Sequence, residues 1–103
     1  MYDTFLEGAM IRSHRNSMTE AVASGKAPKG FLSNVLRSAQ RKLSMIQQAD
    51  RLEDLLAPPG NRLEALKGDP KDQHSIRIND QWRICFIWSD GGAEQVEIVD
   101  YHD

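Results

Sequence analysis

Two arginines, Arg77 and Arg83, stand on either side of the turn Asn79-Asp80-Gln81. Each lies in a run that alternates like a strand. In His74–Ile78, one face takes His74, Ile76 and Ile78, and the other takes Ser75 and Arg77. In Trp82–Trp88, one face takes Trp82, Ile84, Phe86 and Trp88, and the other takes Arg83, Cys85 and Ile87. Burying both apolar faces on the same side sets the pairing: Ile78 opposite Trp82, Ile76 opposite Ile84, and Arg77 opposite Arg83. Two arginines directly across an antiparallel pair repel, with cross-strand terms of about 0.2–1 kcal/mol. Three arrangements relieve that repulsion. An acid on an adjacent strand, Glu64 or Asp100, can sit between them. A phosphate can, since its oxygens match the guanidinium fork. Alternatively, both side chains splay into water.

A second group able to do chemistry is Asp100-Tyr101-His102. It brings a carboxylate, a phenol and an imidazole to the end of a strand. Histidine can act as a general acid near neutral pH, and tyrosine can stack on a base. The other histidines, His14 and His74, are isolated in the sequence. No pair of histidines has the spacing of metal ligands on a helix, and no glycine-rich phosphate loop or nucleophile triad is present. No metal or other cofactor is expected.

The elements that must position these groups follow from pattern. Ser17-Met18-Thr19-Glu20 has the form of a capping box, so a short helix is expected from Ser17 to Gly25. The spacing of Leu32, Leu36, Ala39, Leu43 and Ile46 predicts a longer helix over Phe31–Gln48 with that set facing the core. Asp50-Arg51-Leu52-Glu53 opens a further helical turn that Pro58 and Pro59 must end. Strands are predicted near Arg62–Leu66, His74–Ile78, Trp82–Trp88 and Glu94–Tyr101, with a short one beginning at Met10-Ile11-Arg12-Ser13. Helices followed by an antiparallel meander predict an α+β fold, with the helices packed on one sheet face.

Bulk properties narrow the field. The 103 residues suffice for one domain. No apolar run is long enough to span a bilayer and no signal-peptide pattern opens the chain, so a cytoplasmic protein is expected. Cys85 is the only cysteine, which excludes an intrachain disulfide. The net charge is −2, but all 13 Lys and Arg lie between Arg12 and Arg83. From Ile84 onward there are acids and no Lys or Arg, so the chain is a basic body with an acidic last fifth. A basic body can attract phosphates.

Four segments in order resemble the HigB toxins of the RelE/ParE-like superfamily, closest to the branch that includes GraT. They are Gly60-Asn61-Arg62-Leu63-Glu64-Ala65-Leu66-Lys67-Gly68-Asp69, Gln73-His74-Ser75-Ile76-Arg77-Ile78, Gln81-Trp82-Arg83-Ile84-Cys85-Phe86 and Val99-Asp100-Tyr101-His102. The resemblance implies a curved antiparallel sheet with helices on one face, residues 10–103 as the toxin domain and residues 1–9 as an extension. It also implies a ribosome-dependent mRNA endonuclease acting in the A site, and a HigA-like helix-turn-helix antitoxin through which operator DNA is contacted. Where many HigB toxins have a histidine, this chain has Glu64. The related YoeB toxins carry Glu at that point, with a strand arginine and a C-terminal histidine as partners. On that resemblance Glu64 is the general base, Arg77 a catalytic phosphate clamp and His102 the acid. Arg62, Lys67, Arg83, Asp100 and Tyr101 are expected to bind substrate, with Arg83 a second clamp and Tyr101 stacking on RNA. Rival expectations are a ParE-like gyrase poison, a toxin that binds ribosome or antitoxin without catalysis, and a ribosome-independent nuclease.

Overall fold

The structure, a computed structural model, describes residues 11–29 and 33–101. Helix α1 spans Ser17–Ala23. Its N-cap is Asn16, not Ser17: the Asn16 Oδ1 accepts the Thr19 N–H at 2.9 Å. Asn16, itself a strong N-cap residue, takes the cap one residue earlier than the capping-box reading, and its amide also donates to Glu97 at 3.5 Å. Gly25 follows the helix at φ +89°, a left-handed conformation that glycine adopts without strain.

Helix α2 spans Ser33–Gln48. Its buried face is Val35, Ala39, Leu43 and Ile46, with Leu36 packed at the margin. The expected stripe is thus rotated, with Val35 taking the inner place expected for Leu36. Leu32, Phe31 and Met10 lie outside the described residues. Two 3₁₀ turns follow, Leu52–Leu56 and Pro59–Asn61.

The sheet has four antiparallel strands in chain order, β1 (Glu64–Ala65), β2 (Gln73–Arg77), β3 (Trp82–Ser89) and β4 (Gly92–Asp100). The β2–β3 register places Ile76 opposite Ile84 and Arg77 opposite Arg83, as the alternation predicts. β1 is shorter than expected, because Arg62 sits at φ +45° and cannot extend the strand. The N-terminal segment makes two isolated parallel bridges to β4, Ile11 with Ala93 and His14 with Val96, in place of a regular strand.

β4 is not a simple alternating strand. The register slips between Cys85 and Ile87 of β3, and Gln95 lies at φ +52°. This bulge re-phases the strand. Ala93 is buried before it, and Val96 and Ile98 after it. All three meet the same core: Val22, Ala39, Leu43, Ile46, Ile76, Ile84 and Phe86. The two helices therefore cover one face of the sheet, and the α+β class stands. Among the described residues no helix is long and apolar enough to cross a membrane.

One buried polar contact joins helix and sheet. Thr19 is fully buried, and its Oγ1 accepts the Ile98 N–H at 3.0 Å. Thr19→Val keeps the volume and leaves that N–H unsatisfied. It should cost about 1–3 kcal/mol, read as a lower urea midpoint at unchanged slope. An unchanged midpoint would show that water replaces the hydroxyl there.

Candidate active site

The sheet face turned away from the helices carries the polar groups. On it Ser75 stands opposite Glu64 of β1 and opposite Cys85 of β3. In the next row Arg77 stands opposite Arg83. Arg83 is the centre of the arrangement. Its Nε donates to Ser75 Oγ at 2.8 Å, and its Nη2 donates to the Arg62 carbonyl at 2.7 Å and the Ser75 carbonyl at 3.2 Å. Glu64 Oε1 lies 3.7 Å from the same Nη2. The Arg83 side chain is only 11% exposed, whereas Glu64 is 58% exposed. A buried guanidinium needs acceptors on its nitrogens, and here the protein supplies them. Glu64 is thereby held with a carboxylate open to solvent.

Arg77 differs from its cross-strand neighbour. Its Nη2 pairs with Asp80 Oδ1 in the β2–β3 turn, and its side chain remains 31% exposed. The repulsion between the two arginines is thus relieved by separate acids, Glu64 for Arg83 and Asp80 for Arg77. Asp100, the other acid offered for that place, lies elsewhere. It stands opposite Trp82, in the row that belongs to the helix-covered face, and accepts from the Gln81 amide at 3.1 Å. Strand alternation separates it from Arg83.

Tyr101 reaches back to the polar face, where its hydroxyl lies 3.6 Å from Cys85 Sγ. The contact with Cys85, and then burial, push the Tyr101 hydroxyl up to about 12. Burial pushes the Cys85 thiol up as well, against a smaller opposing pull from the Tyr101 contact. Both groups are therefore neutral at physiological pH. Tyr101 is 44% exposed, so its ring is open to a stacking partner. Arg62 contributes its carbonyl, with its side chain exposed, and Lys67 is exposed just beyond β1. His102 lies outside the described residues.

Sequence pattern missed two polar residues here. Ser75 and Asn61 are both fully buried: Ser75 accepts from Arg83 on the neighbouring strand, and Asn61 from Lys42 on α2. Among the described residues no cluster of three or more His, Cys, Asp or Glu could hold a metal ion.

Two helices on a four-stranded antiparallel meander form an α+β domain consistent with a RelE-like toxin. The family model for the RelE-like toxin of the type II toxin-antitoxin system HigB matches residues 16–102, and the chain belongs to that family. Toxin HigB-1 of Vibrio cholerae serotype O1 is 44% identical over 61 residues, covering 59% of this chain and 64% of that protein. An uncharacterized protein of Haemophilus influenzae is 39% identical over 54 residues, covering 52% of this chain and 54% of its own length. The chain thus spans between half and two thirds of the curated relatives it matches.

The two arginines should separate cleanly by mutation. Arg83→Gln strips acceptors of a buried donor and should cost about 2–4 kcal/mol. Arg77→Gln should change stability by about 0.5 kcal/mol or less. Urea denaturation of both variants checks this, and equal losses would contradict the division between a scaffold arginine and a surface-paired one.

Proposed function

We propose that this toxin is an endoribonuclease that cuts translated mRNA in the ribosomal A site, with Glu64, Arg77 and His102 as its catalytic residues. The observation that carries the reading is the Glu64 carboxylate, held by a buried arginine and open to solvent one strand away from the exposed Arg77. Family membership and the match to Toxin HigB-1 support it.

The reaction needs three groups. Glu64 removes the proton from a ribose 2′-hydroxyl, and that oxygen attacks the adjacent phosphorus. Arg77 stabilises the negative charge that grows on the phosphoryl oxygens. The bond from phosphorus to the 5′-oxygen breaks, and His102 gives that oxygen a proton. The products are a 2′,3′-cyclic phosphate and a 5′-hydroxyl, with no water consumed and no metal required. Tyr101 stacks on a base beside the cut, and the side chains of Arg62 and Lys67 add positive charge along the strand. Arg83 takes a different part from the direct clamp that its position in the motif suggests: its Nε and Nη2 are engaged within the protein, so it positions Glu64. Asp100 acts at a distance, bracing the Gln81 turn that carries Arg77 toward Arg83.

A ribosome supplies mRNA already positioned for the cut. The reading places the protein in the cytoplasm, with a HigA-like helix-turn-helix antitoxin that contacts operator DNA on behalf of the pair. It takes residues 10–103 as the toxin domain and residues 1–9 as an extension.

Primer-extension mapping of a translated mRNA, with and without ribosomes, tests the proposal. Wild type should cut only with ribosomes, and Glu64→Gln should lose about 10²–10⁴-fold in rate. Full activity in Glu64→Gln would move the base elsewhere. Growth arrest without any cut would point to a protein target such as gyrase.

A further inference from the structure

Lys42 has no part in the chemistry above, yet it is a held cation in an unfavourable place. Its ammonium donates to Asn61 Oδ1. Asn61 is fully buried, and its own amide nitrogen donates to the Leu55 carbonyl at 3.2 Å and the Ala57 carbonyl at 3.3 Å. That fixes which end of the amide faces Lys42. The next residue is Arg62, whose carbonyl is gripped by Arg83. Lys42 is therefore registered to the candidate active site through two consecutive residues of backbone.

Its surroundings are short of negative charge. Among the described residues no carboxylate lies within 4.0 Å of Lys42, and its direct partner is a neutral amide. Burial, then the charges of Arg41 and Arg77, depress its pKa below the ordinary lysine range. Arg77 has only Asp80 as its acid, and Asp80 is 99% exposed, so that pairing is easily exchanged. Cations gathered without a bridging acid gain from an anion, and a phosphodiester supplies one charge with acceptor oxygens for both an ammonium and a guanidinium.

We infer that Lys42, held by Asn61 in the Pro59–Asn61 turn that packs against β2, and Arg77 of β2 form a phosphate-binding position for the backbone of single-stranded RNA. This rests on the nuclease reading and deepens it. Arg77 serves the scissile phosphate and Lys42 extends the positive track along the strand, with Asn61 holding it in register. Asn61 is a positioning residue, since it acts through Lys42.

The test is binding of a short 2′-O-methyl oligoribonucleotide, which lacks the attacking hydroxyl, followed by fluorescence anisotropy across a salt series. Lys42→Met should weaken binding and make the slope of log affinity against log salt shallower by about 0.7, the loss of one single-strand phosphate contact. Arg77→Gln should do the same, and Lys42→Arg should keep the wild-type slope. Lys26→Gln, an exposed lysine beyond α1, should leave it unchanged. Lys42→Gln serves where methionine disturbs folding, as judged by near-ultraviolet circular dichroism. A wild-type slope in folded Lys42→Met or Lys42→Gln overturns the inference. So does an equal loss in Lys26→Gln, or no binding by wild type. The assay needs neither ribosome nor cleavage. Lys42-dependent binding without mRNA cutting would keep this position and remove the nuclease, and cutting with no Lys42 effect would do the reverse.

Discussion

A guanidinium buried in a sheet must find acceptors, and on this molecule the ones Arg83 finds decide where its neighbours lie. Ser75 supplies a hydroxyl and a carbonyl, Arg62 supplies a carbonyl, and Glu64 supplies charge. Meeting that demand accompanies the left-handed turn at Arg62, which ends β1 on its N-terminal side and leaves Glu64 at the sheet margin. Removing a buried charge from water is expensive unless it is well paired. That expense makes the position of Glu64 a consequence of folding, because the carboxylate is one of the groups that make the burial tolerable.

The opposite face of the sheet meets a simpler demand, the burial of apolar area against α1 and α2. The two demands are reconciled by the bulge in β4. Without it, the strand would keep the phase of buried Ala93, and Tyr101 would turn toward the helices. With it, Val96 and Ile98 take the core positions, and Glu97, Val99 and Tyr101 share the face of Arg83. A single left-handed residue, Gln95, thus directs the end of the chain toward the polar face. The contact of Tyr101 with Cys85 fastens it there.

How much of this was legible in the sequence depended on whether the cause was local. The pairing of Arg77 with Arg83 follows from two alternating runs and a short turn, all within a few residues. The helices follow from apolar spacing, although Val35 shows that a stripe can be read one position out of phase. Of the two acids offered for the arginine pair, the register sets Asp100 opposite Trp82 and leaves Glu64 to serve Arg83. Asn16 displaced Ser17 as the cap by accepting the Thr19 N–H, a local choice between two good capping residues. Ser75 and Asn61 look like ordinary surface residues in the sequence, because composition and alternation do not show the side-chain partners, Arg83 and Lys42, that their burial depends on. The resemblance to HigB toxins supplied what pattern could not: roles for Glu64 and His102 in one reaction.

The central claim is that RNA is cut by its own 2′-hydroxyl, with a protein carboxylate as base. Its most direct test is the chemistry of the new ends. Mass spectrometry of the fragments released from a programmed ribosome should find a 2′,3′-cyclic phosphate on one side of the cut and a 5′-hydroxyl on the other. A 3′-hydroxyl facing a 5′-phosphate would mean that water or an external nucleophile attacks, and would contradict the account.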